Sequence, residues 1–131
     1  MAINKETKAK SVALIVLTIL SITLFLFSRY QTVDIIYFTN PKCLLTKNTD
    51  SIIEEVKLDF RDKIRVRKIV VNMYPDDQPD TEEIKMLREK YQVYGIPDIV
   101  IDEEKFILSF TKDNLKEKIC EKFIIKPGVC V

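Results

Sequence analysis

The chain has 131 residues, with 21 Lys plus Arg against 20 Asp plus Glu and a formal net charge of +1. No basic field points to nucleic acid, and the absence of His excludes a Ser-His-Asp triad or a zinc hydrolase centre on inventory alone. Two Gly cannot build a glycine-rich phosphate loop, so nucleotide chemistry is not expected, and neither is a metal site or a resident cofactor.

In chain order, residues 11–28 (SVALIVLTILSITLFLFS) hold no charge, Pro or Gly. Eighteen helical residues span roughly 27 Å, close to a bilayer's hydrocarbon thickness, which predicts one transmembrane helix. Its Ser and Thr can return their hydroxyls to the backbone. Lys5, Lys8 and Lys10 precede it, offset only by Glu6, while Arg29 and Tyr30 follow as an interfacial anchor. The basic excess predicts a single-pass protein with residues 1–10 cytoplasmic, 29–32 as a linker and 33–131 as an extracytoplasmic domain in contact with the lipid bilayer through its anchor. A cleaved signal peptide is the competing reading, against which stand the length of the run and the lack of a small-x-small site after it. A buried core helix is disfavoured because the roughly 100 remaining residues, enough for one compact domain, would not cover a helix apolar on every side.

VDIIYF (33–38) reads as a buried strand. TNPK breaks it, and from Cys43 the residues Leu44, Leu45, Ile52, Ile53, Val56 and Phe60 recur at helical spacing, predicting a helix over 43–60. KIRVRKIVVNM (63–73) is a second strand and YPDDQPD (74–80) a loop. Thr81 with Glu82 and Glu83 starts a helix striped by Ile84, Leu87 and Tyr91 and stopped by Tyr94-Gly95. IPDIVID (96–102) and KFILSF (105–110) form an antiparallel hairpin. Thr111 or Asp113 caps a last helix over 113–123, with Leu115, Ile119 and Phe123 on one face. The order β-α-β-α-β-β-α predicts a three-layer α/β arrangement with a mixed sheet.

The three cysteines, Cys43, Cys120 and Cys130, suggest one pair and one leftover thiol. Lys126-Pro127-Gly128 can turn the tail back so that Cys120 and Cys130 meet, a pairing that suits an oxidising location. Two free thiols in a reducing cytoplasm, or a pair that includes Cys43, are the alternatives. Asp76, Asp77, Asp80, Glu82 and Glu83 lack the spacing of a calcium loop and read as a solvated loop and helix start. Lys63, Arg65 and Arg67 read as a solvated strand edge.

The element order, with Cys43 at the first strand-to-helix junction, Phe38 five residues before it, and EKYQVYGIPDIVI (89–101), resembles the thioredoxin superfamily over residues 33–123. The resemblance implies a cis proline at Pro97, with Ile96 presenting backbone to an extended substrate, and makes Cys43 the nucleophile. The family's C-x-x-C motif is here Cys43-Leu44-Leu45-Thr46, so Thr46 occupies the resolving position. A helix N-terminus together with Lys42 and Lys47 favours a thiolate at Cys43. Without a second sulfur, release of a mixed disulfide needs an outside thiol, either a small thiol or a partner cysteine. Monothiol glutaredoxins use one sulfur in a related fold, although their flanking glutathione-binding pattern is not evident here. The leading expectation is a membrane-anchored, single-cysteine thiol-disulfide oxidoreductase acting outside the cytoplasm on a thiol or disulfide partner. The alternative is a redox-inactive, membrane-tethered module that binds peptides or proteins. A structural subunit of a membrane complex is a weaker third.

Overall fold

The computed structural model describes residues 5–107 and 109–131, and the side chains of all of these except 28–30. The expected anchor side chains of Arg29 and Tyr30, and Leu108 in the expected strand 105–110, therefore lie outside the described residues. The chain divides into two compact units between Gln31 and Thr32.

The first unit is helix α1, Lys5–Tyr30. Its stretch Lys5–Phe27 is long and apolar enough to cross a membrane by length and composition. The Thr18 hydroxyl donates to the Ile15 carbonyl at 2.8 Å, and the Thr23 hydroxyl reaches the carbonyls of Ile19 and Leu20 at 3.0 and 2.8 Å. These bonds satisfy the Thr18 and Thr23 hydroxyls within the apolar helix.

The second unit runs β1 (Val33–Thr39), α2 (Leu44–Phe60), a 3-10 turn (Arg61–Lys63), β2 (Ile64–Val70), α3 (Glu82–Lys90), β3 (Asp98–Ile101), β4 (Glu104–Lys105), α4 (Lys112–Glu121) and a 3-10 turn (Gly128–Cys130). The sheet order is β2-β1-β3-β4. β1 pairs parallel with β2 and antiparallel with β3, and β3 pairs antiparallel with β4, which makes the sheet mixed.

Alternation along β1 divides the core. Val33, Ile35 and Tyr37 join Ile53, Val56 and Phe60 of α2 and Leu115 and Ile119 of α4 in one cluster. Phe38 joins Ile69, Val71, Tyr91 and Val100 in the other, against which Ile84 and Leu87 of α3 pack. Helices thus cover both sheet faces, a three-layer α/β/α arrangement with β1 and β3 at its centre. Each fully buried aliphatic or aromatic side chain here contributes about 1.5–3 kcal/mol of transfer free energy.

Several elements differ from the sequence-based expectation. The buried face of α2 is Thr46, Thr49, Ile53, Val56 and Phe60, whereas Leu44 and Leu45 are 81% and 68% exposed. The 3.6-residue period carries the stripe back from Val56 and Ile53 through the two threonines. β2 ends at Val70 rather than Met73: one further bond joins Val71 N–H to the Thr39 carbonyl, and then the Asp80 carboxylate captures Asn72 N–H. α3 stops at Lys90, four residues before Tyr94, and it is Gln92 at φ 53, not Gly95, that takes the left-handed conformation. Its exit is secured by Val93 N–H bonding to the Arg88 carbonyl at 2.8 Å. β4 is only two residues long, and the last rung beyond it is Phe106 N–H to the Ile99 carbonyl. Thr111, not Asp113, caps α4, its hydroxyl accepting from Asn114 N–H at 3.2 Å.

Candidate functional site

The site is built where β1 ends. Asn40, 1% exposed, follows Thr39, and Pro41 after it has no backbone N–H to offer a further rung of the strand. The Asn40 side chain organises the turn instead. Asn40 Nδ2 donates to the Val71 carbonyl at 2.9 Å and to Asp77 Oδ2 at 2.7 Å, while Asn40 Oδ1 accepts from Lys42 N–H at 2.9 Å. The Asn40 carbonyl accepts from Cys43 N–H at 3.0 Å. Cys43 is thereby fixed as the N-cap of α2, with φ −80 and ψ 123 and no side-chain capping bond. Its thiol is free and half-buried, beside the first-turn N–H groups that an α-helix leaves unpaired. The first turn of α2 carries no acid.

Thr46, at the resolving position, is 1% exposed. Its hydroxyl shares its hydrogen between the Cys43 carbonyl at 2.7 Å and the Asn40 carbonyl at 3.0 Å, a local bond that a side chain lacking a strong donor would forfeit. Beneath it, the Tyr37 hydroxyl donates to the Thr46 carbonyl at 3.4 Å. Burial foremost pushes the Tyr37 phenol up to about 12, so it stays a neutral donor. Lys68 Nζ lies 5.8 Å from the centre of the Tyr37 ring and pairs with Asp50 on α2 at 3.0 Å.

The peptide bond between Ile96 and Pro97 is cis. Phe38 pairs with Asp98 in the β1–β3 register, which brings Pro97 to the same sheet end as the Cys43 turn. Ile96 and Pro97 are both half-buried, and Ile96 packs against the Phe38 cluster. Asp98, the next residue, is 8% exposed and pairs with Lys105 Nζ at 2.8 Å. The remaining cysteines are far along the chain: Cys120 and Cys130 form a disulfide with Cα atoms 5.6 Å apart.

The Lys42 ammonium pairs with two carboxylates, 2.8 Å from Asp76 and 2.7 Å from Asp77, and lies 5.9 Å from the Tyr74 ring centre. The bonds to Asp76 and Asp77 raise the Lys42 pKa. Asp77 sits well below the usual carboxylate range, held first by Lys42 and then by the N–H groups of Met73 and Tyr74 and the Asn40 amide. The acids of this region are each matched: Asp80 to Arg88 at 2.6 Å, Glu82 to Lys85 and Glu83 to Arg67. Among the described residues no group of three or more His, Cys, Asp or Glu gathers to hold a metal ion.

Two site residues were missed from the sequence, Asn40 and Asp77. Asn-Pro signals a turn, but nothing local links Asn40 to a carboxylate 37 positions away.

No protein-family model matches the sequence, and no curated protein matches it. In contrast, 123 chains of solved structures match the fold. One, described as the structure of a malarial protein, is 15% identical with a TM-score of 0.51, over 72% of this chain and 100% of that one. Another, a mutant thioredoxin from Halobacterium salinarum, is 22% identical with a TM-score of 0.51, over 74% of this chain and 80% of that one. With its mixed four-stranded sheet flanked by helices on both faces, the unit from Thr32 to Val131 has a thioredoxin-like fold.

Proposed function

We propose that the protein is a membrane-anchored thioredoxin-like protein that exchanges thiols and disulfides outside the cytoplasm with one sulfur, Cys43. The observation that carries this reading is the free, half-buried Cys43 at the N-terminus of α2, on the sheet end to which the cis Ile96-Pro97 bond leads. As thiolate, Cys43 attacks one sulfur of a partner disulfide. The Cys43–partner S–S bond forms, the partner's S–S bond breaks and its second sulfur leaves as thiolate. Thr46 has no sulfur with which to release the partner, so an outside thiolate, from a small thiol or a partner cysteine, attacks the partner's sulfur in the mixed disulfide; a new S–S bond joins that thiol to the partner, the Cys43–partner bond breaks and Cys43 leaves as thiolate. Ile96 and Pro97 supply the edge for the partner's extended chain. Helix α1 holds the domain to the bilayer, with its lysine-bearing end cytoplasmic. The Cys120–Cys130 disulfide fits that side of the membrane.

A second reading, non-covalent binding of an apolar segment, draws on Leu44 and Leu45, which project into solvent next to Cys43. The full chain in native membranes separates the two. It is exposed to a disulfide-containing peptide and its intact mass read without reductant. The exchange reading expects a mixed disulfide on Cys43 that is absent from Cys43→Ser. Peptide retained equally by Cys43→Ser, with no adduct on the parent chain, overturns exchange in favour of binding. Labelling of Cys43 by a membrane-impermeant maleimide in intact cells tests the orientation. Labelling only after lysis places the domain inside and sinks that part of the proposal.

A further inference from the structure

Lys42 is the basic side chain next to Cys43 in sequence, and its flexible stem carries a compact cation able to swing toward that thiol. In the structure that cation is held by two carboxylates. Asp77, whose side chain is only 10% exposed, holds Lys42 Nζ at 2.7 Å through Oδ1, while the more exposed Asp76 holds it at 2.8 Å. Asp77 is itself tied down: Oδ2 accepts from Asn40 Nδ2 at 2.7 Å, Tyr74 N–H at 2.9 Å and Met73 N–H at 3.0 Å. One carboxylate therefore fixes both flanks of Pro41: Asn40, whose carbonyl receives Cys43 N–H, and Lys42, whose charge it neutralises.

We propose that Asp77 is a positioning residue for Cys43 that acts through Lys42, withholding the ammonium from the thiol and thereby setting how reactive Cys43 is at neutral pH. Asp76, 78% exposed, assists; exposed pairs of this kind are weak. The inference deepens the exchange reading and takes Cys43 as the site, but it concerns the thiol's local charge and needs no redox partner. Other charged or titratable groups around this end of the sheet include Lys47 and Asp50 on α2, Tyr37 on β1, Lys68 on β2, Tyr74 beside Lys42 and the paired Asp98 and Lys105. Lys68 and Asp50 neutralise each other, and Tyr37 is a buried phenol protonated until about pH 12.

The test is the rate of Cys43 alkylation by iodoacetamide across pH, measured on the full chain in detergent. Asp77→Asn keeps an oxygen for the Met73 and Tyr74 N–H groups and removes the charge. It should speed alkylation at neutral pH about threefold, the effect of one unit charge at roughly 6 Å in a water-like dielectric, and shift the pH profile to lower pH. The gain should vanish when Lys42→Met is added, and Asp76→Asn with Asp77→Asn should exceed Asp77→Asn alone. Asp77→Glu should restore the parent profile. An unchanged profile in a folded Asp77→Asn chain overturns the proposal, and so does a gain that persists without Lys42. If the profile moves as stated while the parent forms no mixed disulfide with any partner, Asp77 stands and the exchange reading falls.

Discussion

The Thr46 hydroxyl lies 3.0 Å from the carbonyl of Asn40, six residues back, and so ties the first turn of α2 to the strand exit that carries Cys43. A sulfur at position 46 would sit at the same buried place, within reach of Cys43, and complete the dithiol that internal resolution requires. Thr46→Cys should therefore gain dithiothreitol-dependent insulin reduction that the parent chain lacks. It should also lose about 1 kcal/mol of stability in its reduced form, since a thiol is a weak donor to the Asn40 and Cys43 carbonyls. Absence of any gain in a folded variant would mean that the Cys43 surface is not an exchange site.

Tyr37 makes stability fall in alkali. Its phenol, 1% exposed and pushed up to about 12 by burial first, titrates near 10 when the chain unfolds. A folded-state pKa above the unfolded one means that the contribution is intact below about pH 10 and is lost as pH rises from there toward 12. Over that window the unfolded chain has released a proton that the folded chain keeps. The slope is about 1.4 kcal/mol per pH unit for one proton. Lysines titrate in the same range, so the difference between the parent and Tyr37→Phe isolates the term. Urea midpoints at pH 9, 10 and 11 should converge as pH rises, with the parent losing its advantage. Parallel curves contradict the assignment.

The contrast between these side chains and the fold as a whole shows what a sequence can disclose. The continuous apolar run VDIIYF and the helical spacing of Ile84, Leu87 and Tyr91 mark β1 and α3 because burial selects apolar residues among neighbours in the chain. The same logic placed Leu44 and Leu45 on the wrong face, since apolar residues at a helix start count toward a stripe whether or not the core reaches them. It also extended β4 through KFILSF. The run is apolar, yet Phe106 enters the core while Ile107 is 89% exposed, and the chain leaves the sheet for the Thr111 cap. Cys43 was legible by its place at a strand-to-helix junction. Asn40 with Asp77 was not, because their bond joins residues 37 apart, and the charge of Lys42 cannot be assigned without knowing which acids surround it.

The Cys120–Cys130 bond closes a loop of sequence separation 10 and fastens the tail against the first core cluster, where Cys130 and Val129 pack. Closing a loop this short stabilises by about 3 kcal/mol through the unfolded chain. Cys130→Ser, at the half-buried partner, should lower the melting temperature by roughly 10–20 °C, and dithiothreitol should lower the parent's by a similar amount while leaving the variant's unchanged. A variant as stable as the parent would remove the disulfide from the list of features that hold the fold.

The β3–β4 hairpin offers a paired test of backbone strain. Asp102 and Glu103 both have positive φ, 45 and 68, as a two-residue type I′ turn demands, and neither is the Gly or Asn that adopts it readily. Glu103 pairs with Lys90, at 2.8 Å on the surface, and such pairs contribute little. Asp102, by contrast, accepts from Asp34 N–H at 2.8 Å through Oδ1, while its own N–H donates to the Asp34 carbonyl at 2.9 Å, so its side chain extends the β1–β3 ladder. Glu103→Gly should raise the melting temperature by roughly 4 °C. Asp102→Gly should not raise it, because relief of the same strain is offset by the lost bond to Asp34. Equal gains from both substitutions would mean that the Asp102 carboxylate contributes nothing to the ladder.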